Sequence, residues 1–273
     1  MAPPFSSIFA FSLLFVGVLV QAHDQVGQSA VFTYEGSHGP EKWGSLSPSY
    51  ATCSNGKFQS PVDISKDNSV FGKKLQTLVR KYNIANATLT NNGVNIGVHF
   101  WKNSGGVAII DGKNYTLKQL HWHSPAEHRL NGKQYAAELH LVHQADDGTY
   151  SVIAILLQIG DPEPLLAKIH DKLVELANEK CGSNEEAHIA LGDLDTKHLR
   201  KKTRKYFRYI GSLTTPPCTE NVIWNVLGKV RTISQQQVDA LKAPLNPVYK
   251  NNARPVQPLY GRKIEIYDEL SKH

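Results

Sequence analysis

The stretch VAIIDGKNYTLKQLHWH, residues 107–123, carries the clearest evidence for the fold of this 273-residue chain. On both sides of Asp111-Gly112 its residues alternate or are β-branched, and that dipeptide is typical of a tight hairpin turn. Comparable segments, separated by further turn dipeptides, cover residues 87–100, 135–144, 151–160 and 221–230. The pattern predicts a domain dominated by short β-strands.

Two segments have the spacing of a helix. Residues 162–178 place apolar side chains at helical intervals after Asp161-Pro162, and Ser234 is a suitable cap for a second, short helix. No internal repeat or low-complexity linker divides the chain. We therefore expect one domain over residues 28–273, of the mainly β (α+β) class.

The composition is that of an ordinary globular protein, with 41% hydrophobic residues and a formal net charge of +6. These values exclude a disordered, collagen-like or coiled-coil chain. The three cysteines, Cys53, Cys181 and Cys218, can pair only once, and counting alone does not choose the pair. The unusual number is that of the histidines, which is 12. Neutral imidazole is the commonest metal ligand and a proton carrier near neutral pH, so the histidines are the first candidates for function.

Residues 1–22 have the features of a secretory signal peptide. The apolar run from Ile8 to Val20 is too short to span a bilayer comfortably, and Val20-Gln21-Ala22 supplies small residues for cleavage. No Lys or Arg precedes the run, so an uncleaved anchor is the alternative. We expect a soluble protein that is secreted or held in the endomembrane lumen, without stable membrane insertion. The sequons at Asn86 and Asn114 predict glycosylation on that route.

Residues 197–205, KHLRKKTRK, form a basic run. Such runs often bind nucleic acid. Because a secreted protein does not meet that partner, we predict a solvated basic loop and no nucleic-acid binding. The alternative is an anionic wall polysaccharide or a membrane surface, and its binding would depend on salt concentration.

Three histidines on two predicted strands form a candidate metal site. Side chains alternate between the faces of a strand, so His121 and His123 share one face. An antiparallel neighbour, joined through the Asn131-Gly132 turn, would bring His140 beside them. Three neutral nitrogens without a fourth side chain are typical of a catalytic rather than a structural zinc site. The alternative is a set of hydrogen-bonded structural histidines.

Polar neighbours of these histidines strengthen the hypothesis. Gln119 shares a face with His121, and Glu138 shares one with His140, so both can accept hydrogen bonds from the second ring nitrogens. We interpret His128 and His143 as structural, since His143 lies on the face opposite His140. We expect the remaining histidines without such context at the surface: His99, His170, His188, His198 and His273.

Several motifs together resemble the α-class carbonic anhydrases. The most specific are QLHWHSPAEH at 119–128, AAELHLVH at 136–143, GSLTTPPCTE at 211–220 and QSPVDI at 59–64. Further matches are SYATC at 49–53 and NNARPVQPL at 251–259. The segment YEGSHGPEKWG at 34–44 is similar to the plant, secreted branch, whose relatives include nectarin- and dioscorin-like proteins. The resemblance runs from about Phe32 to Tyr267 in the family's order.

The resemblance implies a large, twisted, mainly antiparallel central sheet of about ten strands with helices on its surface. It implies Zn²⁺ on the three histidines 121, 123 and 140, with Asn252 as a further supporting residue. It also implies a Cys53–Cys218 disulfide, which would leave Cys181 free or available for an intermolecular bridge in a dimer. For a plant protein, the expected extracellular location is the apoplast.

The activity that the resemblance implies is reversible hydration of CO₂ to bicarbonate and a proton by zinc-bound hydroxide. Thr214 would accept the proton of the hydroxide and donate its own to Glu127, since an ionised carboxylate can only accept. Thr215 would line the substrate side. An apolar CO₂ pocket would consist of Val142, Val152, Leu213, Val222 and Trp224, for which ordinary core packing is the alternative explanation.

One residue departs from the family's pattern at the position of the proton shuttle. Fast members have a His after Asn-Asn-Gly, whereas this chain has Val94. Valine cannot carry a proton, so we expect slow proton transfer, unless another residue such as His38 substitutes. Two other functions remain open: a secreted storage or nectar-type protein with weak or lost activity, and a catalytically inactive module that binds an anion or a sugar.

Overall fold

The computed structural model describes residues 31–179 and 186–271. The expected signal peptide (1–22) and Cys181 therefore lie outside the described residues. The strands are β1 (Asp63–Ile64), β2 (Ser69–Phe71), β3 (Val79–Tyr82), β4 (Ile84–Asn91), β5 (Ile96–Phe100), β6 (Gly106–Ile110), β7 (Lys113–His123), β8 (Arg129–Leu130), β9 (Lys133–Gln134), β10 (Ala137–Gln144), β11 (Tyr150–Ile159), β12 (Ala187–Asp195), β13 (Lys205–Ser212), β14 (Glu220–Leu227), β15 (Arg231–Ile233) and β16 (Ile264–Asp268).

The helices are short and lie between these strands. The α-helices are α1 (Trp43–Leu46), α2 (Thr52–Asn55), α3 (Pro164–Lys168), α4 (His170–Asn178) and α5 (Gln235–Lys242). The 3₁₀ helices are Gly36–His38, Pro48–Tyr50, Trp101–Asn103, Lys197–Arg200, Pro247–Tyr249 and Glu269–Ser271. No helix among the described residues is long and apolar enough to cross a membrane.

One large mixed sheet dominates the described part of the chain and confirms the mainly β prediction. Ten strands follow one another in the order β12-β4-β5-β7-β10-β11-β14-β13-β16-β2, and β3, β6 and β15 bring the sheet to 13 strands. Most pairs are antiparallel; β11–β14, β11–β15 and β16–β2 are parallel. The strands β1, β8 and β9 form a second, small sheet.

The predicted turn at Asp111-Gly112 joins β6 to β7 as an antiparallel hairpin. Both turn residues have positive φ, 50° and 80°, as the tightest hairpin turns require. The segment predicted over 87–100 is also a hairpin, because β4 and β5 are separated at Asn92-Gly93. There the side-chain oxygen of Asn92 accepts the N–H groups of Val94 and Asn95 at 3.0 and 2.8 Å.

The helix predicted over 162–178 is two helices. It breaks at Ile169, whose φ and ψ of −106° and 12° are not helical, although the apolar positions of both halves are buried as their spacing indicated. Ser234 caps α5 as predicted and accepts the N–H of Gln237. The basic run is only partly the solvated loop that we expected. It contains a 3₁₀ helix with a buried Leu199, and its last residue begins β13.

The sheet separates a large apolar core from the face that carries the polar site. On the core face, Leu120 pairs with Leu141 and Trp122 with Leu139 across β7 and β10, and all four are buried. Because strand residues alternate, the intervening residues of the same strands point to the other face. The buried core residues of β7 and β10 therefore hold the polar residues of the opposite face in place.

Candidate metal centre

The three candidate ligands converge on one point. Strands β7 and β10 pair antiparallel with His140 opposite His121, and His123 lies one pleat further along the same face. Nε2 of His121 lies 3.1 Å from Nε2 of His123 and 3.3 Å from Nδ1 of His140. The expected connection differs in detail: the Asn131-Gly132 turn closes the small β8–β9 hairpin within the link between the two strands.

Acceptors behind the first two rings determine which nitrogen carries the proton. Nδ1 of His121 lies 2.8 Å from Oε1 of Gln119, as the strand alternation predicted. Nδ1 of His123 lies 2.6 Å from the backbone oxygen of Asn252. A carbonyl oxygen can only accept, so each Nδ1 is the donor and each Nε2 directs a lone pair at the convergence point.

The third ring is held by Glu138. Its Oε1 lies 2.8 Å from Nε2 of His140 and 2.6 Å from Nδ1 of His128, and its Oε2 accepts the backbone N–H groups of Glu127 and His128 at 2.9 and 2.8 Å. Burial alone would raise the pKa of Glu138, but His128 and His140 hold it well below its usual range. The carboxylate is therefore charged and accepts from Nε2 of His140, whose Nδ1 is left as a free donor atom for a metal.

This donor set fits a catalytic zinc ion. Burial lowers the pKa of His121 well below its usual value, and the neighbouring His123 and His140 lower it further. Burial is also the main cause that lowers the pKa of His123 and of His140. The three rings are thus neutral at pH 7, and their ligand atoms lie within 4.8 Å of one another. Three neutral nitrogens form the ligand set of zinc sites that keep an open position.

Glu127 and Thr214 lie together beside the histidines. Oε1 of Glu127 accepts the backbone N–H of Arg254 at 2.9 Å. Burial raises the pKa of Glu127 to about 7, and the nearby Thr214 side chain is among the groups that oppose this rise. Thr214 itself is buried and lies two residues beyond the end of β13. The residues expected to orient the nucleophile are therefore neighbours, and Oε2 of Glu127 is buried without a hydrogen-bond partner.

A disulfide ties down the loop that carries Thr214. Cys53 is bonded to Cys218 with 5.0 Å between the two Cα atoms, which confirms the pairing implied by the family resemblance. Within the loop, Leu213 donates its N–H to the oxygen of Thr219, and Cys218 donates to the oxygen of Thr215 at 2.8 Å. Thr215 is half-buried in this loop.

The residues of the expected CO₂ pocket form one apolar cluster on the metal-bearing face. Val142 pairs with Val152, which pairs with Trp224, so the three make a row across β10, β11 and β14. Val222 and Leu213 belong to the same cluster. The centre of the Trp224 indole ring lies 4.9 Å from that of His140. An apolar wall thus adjoins the convergence point, and its side chains also serve as core.

Val94 is held close to the ligands through Asn252. The amide nitrogen of Asn252 donates to the carbonyl of Val94 at 3.0 Å, and its Oδ1 accepts the N–H of Ser124 at 2.9 Å. The carbonyl of Asn252 is the same group that holds His123. The backbone at the shuttle position is therefore anchored to the metal centre, while its side chain offers no titratable group.

Two of the other histidines have roles or positions that the sequence did not reveal. His128 connects Glu138 to Tyr209, with 2.6 Å between Nε2 and the tyrosine oxygen, and Tyr209 continues to Ser60 at 2.8 Å. His99 is exposed as expected, but it pairs with Gln119 across β5 and β7 and so lies on the same face as His121. His143, interpreted as structural, is buried between Tyr82 and the carbonyl of Ser151.

The two sequon asparagines and His38 lie near the surface, and Arg254 lies in the interior. Both sequon asparagines, Asn86 and Asn114, are exposed. His38 lies in an N-terminal 3₁₀ helix, where its Nδ1 is 3.0 Å from the Ser37 hydroxyl. Arg254 had no assigned role, yet its buried guanidinium donates to the carbonyls of Ser60 and Cys53. The motif NNARPVQPL contained this arginine, but only the fold shows that it joins distant segments.

The three-histidine cluster, which could hold a metal ion, lies on one face of the large sheet, and comparison with known proteins identifies the family. A family model described as eukaryotic-type carbonic anhydrase matches residues 38–268, and the chain belongs to this family. It is 38% identical to alpha carbonic anhydrase 4 of Arabidopsis thaliana over 268 residues, which cover 96% of this chain and 97% of that protein. It is also 38% identical to carbonic anhydrase Nec1 of Nesocodon mauritianus, with 96% and 94% of the two chains covered.

Among solved structures, a dioscorin complexed with ascorbate superimposes with a TM-score of 0.83 at 36% identity, covering 89% of this chain and all of that one. An α-carbonic anhydrase from Thermovibrio ammonificans superimposes with a TM-score of 0.75, also at 36% identity, covering 86% and 99%. The family therefore includes both carbonic anhydrases and dioscorins, as the resemblance implied.

Proposed function

We propose that this protein catalyses the zinc-dependent, reversible hydration of CO₂ to bicarbonate and a proton. The observation that carries the proposal is the arrangement of the three rings. Each of His121, His123 and His140 donates one ring N–H to an acceptor oxygen and directs its other ring nitrogen at a common point. A zinc ion bound there would lower the pKa of a coordinated water to about 7 and so supply hydroxide at neutral pH.

The surrounding side chains fit the remaining tasks. Thr214, with its own proton directed at Glu127, has lone pairs left to accept the proton of the attacking oxygen and so orient it. The apolar row of Val142, Val152 and Trp224 suits a nonpolar substrate such as CO₂. Thr215 is placed in the same loop as Thr214 and would line the substrate side.

We further propose that release of the proton limits turnover. A positioned acid–base group contributes about 10²–10⁴-fold to such steps, and Val94 has none to offer. Small imidazole buffers should raise the rate by acting as external carriers; a rate that does not respond to them contradicts the proposed limitation.

A secreted storage or nectar-type protein with weak or lost activity is the second candidate function. The valine at the shuttle position and the similarity to a dioscorin favour it. The two candidates differ in rate rather than in fold. A zinc-loaded protein whose CO₂ hydration does not exceed the uncatalysed rate would support the storage function.

Secretion, glycosylation and dimerisation complete the proposal. The Cys53–Cys218 disulfide supports an oxidising compartment such as the apoplast or the endomembrane lumen. Glycans on the exposed Asn86 and Asn114 would accompany that route. Because Cys53 and Cys218 pair within the chain, Cys181 is the cysteine left for an intermolecular bridge. Mass spectrometry of the secreted protein tests the glycans, and non-reducing electrophoresis tests the dimer.

The decisive experiment measures zinc content and stopped-flow CO₂ hydration, with and without a zinc chelator. The wild type should bind one zinc ion and lose its activity with the chelator, and His121→Ala should lose both zinc and rate. Folding of the variant is checked by circular dichroism. A folded wild type without zinc and without a chelator-sensitive rate would refute the enzyme.

A further inference from the structure

A large cavity lies at the opposite end of strand β13 from the metal centre. It has a volume of about 850 Å³ and is lined by residues 162–164, His198, residues 201–205 and residues 227–232. Lys205 begins β13 beside this cavity, whereas Thr214 follows the other end of the strand. At about 3.3 Å per residue, the two are separated by up to roughly 30 Å. None of the lining residues belongs to the histidine cluster, so the cavity is a separate site.

The wall of this cavity is strongly cationic. One carboxylate, that of Glu163, faces six lysine and arginine side chains, which are Lys201, Lys202, Arg204, Lys205, Lys229 and Arg231. Five of the six are exposed, and Arg231 is half-buried. The basic run thus contributes to a concave site rather than to a flat surface, and positive charge around a concavity concentrates anions there.

Most of this charge lacks a nearby carboxylate. Lys202 pairs with Glu269, and Lys205 lies 3.5 Å from Asp268. Among the described residues, no ion pair within 4.0 Å involves the other four cations, which are Lys201, Arg204, Lys229 and Arg231. Their charge is therefore available to a ligand.

Glu163 does little to offset this charge, because it already has two contacts. Its Oε2 accepts the N–H of Leu166 at the start of α3, and its Oε1 lies 3.4 Å from Nε2 of His198. Glu163 thus caps the start of α3 and lies beside His198. A single carboxylate, which interacts with Arg231, offsets only a small part of the charge of the six cations around it.

Two guanidinium groups near the cavity are removed from solvent: Arg231 is half-buried, and Arg80 is buried with unpartnered nitrogens. Burial lowers the pKa of Arg231, and Glu163 only partly opposes this. Behind the lining loop, Arg80 donates to the Thr203 hydroxyl at 2.7 Å and to the carbonyl of Lys201, but its Nε and Nη1 have no hydrogen-bond partner. Burial lowers the pKa of Arg80, and Arg231 adds to this through its positive charge. Buried charges without partners are costly, and a bound anion would offset that cost.

We propose that this cavity binds a small polyanion, a molecule with two or more phosphate, sulfate or carboxylate groups. Its volume lies within the range of small-molecule sites, about 300–1,000 Å³. None of the lining residues is Phe, Tyr or Trp, and the apolar ones are Pro162, Pro164, Leu227 and Val230. Apart from the imidazole of His198, the wall therefore offers no aromatic ring on which a nucleotide base could stack. The ligand is recognised through its charges, by Arg231 from within and by Arg204 and Lys229 at the mouth.

The test is calorimetric titration of the purified protein with fructose bisphosphate and with tricarballylate, two polyanions that chelate zinc weakly. Both should bind saturably, with the same affinity in the zinc-loaded and the zinc-free protein. The double variant Arg204→Gln with Lys229→Gln should weaken binding by at least about tenfold, as expected for losing bonds to charged groups. The matched control is Lys73→Gln with Lys74→Gln, which removes the same charge at exposed positions outside the cavity.

A third variant, Arg231→Gln, should weaken binding further, and its thermal unfolding midpoint shows whether it is folded. Tighter binding of one probe identifies the phosphate or the carboxylate class as preferred, and either result supports the cavity. No saturable binding to the wild type overturns the proposal. Equal weakening in the control overturns it too, because the effect would then come from net charge. CO₂ hydration should be unaltered in the Arg204/Lys229 variant, so failure of this proposal and failure of the proposed enzyme are distinguishable.

Discussion

The replacement Glu138→Gln tests whether hydrogen-bond acceptors next to the histidine rings determine which ring nitrogen carries the proton. The carboxylate of Glu138 accepts four hydrogen bonds, two from backbone N–H groups and two from the rings of His128 and His140. Glutamine has one acceptor oxygen, and its amide nitrogen can only donate. Two of the four donors therefore lose their acceptor. If the amide faces the rings, His140 is favoured with its proton on Nδ1, where it competes with the metal.

The magnitude follows from these contacts. Removing a partner behind a metal ligand typically costs about 10–100-fold in metal affinity. Two lost hydrogen bonds to a charged group, at about 1.5–3 kcal/mol each, remove roughly 3–6 kcal/mol from the free energy of unfolding. We therefore expect Glu138→Gln to bind zinc at least about tenfold more weakly and to unfold at a lower temperature.

The assay is a competition between the protein and a colorimetric zinc chelator near neutral pH, with circular dichroism to verify folding. Glu175→Gln, an exposed carboxylate on α4, is the matched control and should bind zinc like the wild type. If Glu138→Gln does not fold, Gln119→Leu removes the acceptor behind His121 and should also weaken zinc binding. A folded Glu138→Gln or Gln119→Leu protein that binds zinc as tightly as the wild type would refute the reasoning.

Three further predictions concern proton transfer, pH and the disulfide. Val94→His should raise CO₂ hydration in dilute buffer by about 10²-fold, the lower end for a positioned acid–base group; an unaltered stopped-flow rate would contradict the proposed limitation. Burial raises the pKa of Glu127 from 4.5 to about 7, so the metal-free protein binds this proton more tightly than the unfolded chain. The contribution of this proton to the free energy of unfolding is fully present below about pH 4.5. It declines by up to about 3 kcal/mol as the pH rises from about 4.5 to about 7. Glu127→Gln should abolish that decline, and denaturant unfolding of both metal-free proteins across the window measures it; parallel curves would contradict it. Cys53→Ser combined with Cys218→Ser opens a loop of 165 residues. The chain-entropy model predicts that the free energy of unfolding falls by about 5 kcal/mol, and an unaltered denaturation midpoint would contradict this.

Local patterns in the sequence predicted the elements of the site well. The alternation of β7 correctly placed Gln119, His121 and His123 on one face, and that of β10 placed Glu138 with His140. The Asp111-Gly112 turn was correct for the same reason, since side-chain alternation and turn geometry depend on neighbouring residues. The helix over 162–178 was wrong in its continuity, because apolar spacing indicates a buried face and not an unbroken backbone.

The tertiary structure decided what depends on residues far apart in the chain. The acceptor behind His123 is the backbone carbonyl of Asn252, a group that no side-chain pattern can reveal. The cavity formed by residues 162–164, 201–205 and 227–232 likewise exists only where three strand ends meet. The sequence by itself therefore determined the candidate metal ligands and the face that they share, because strand geometry is local. Strand order and register decided the supporting acceptors, the anchored Thr214 loop and the cationic cavity, because these arise only when distant segments pack together.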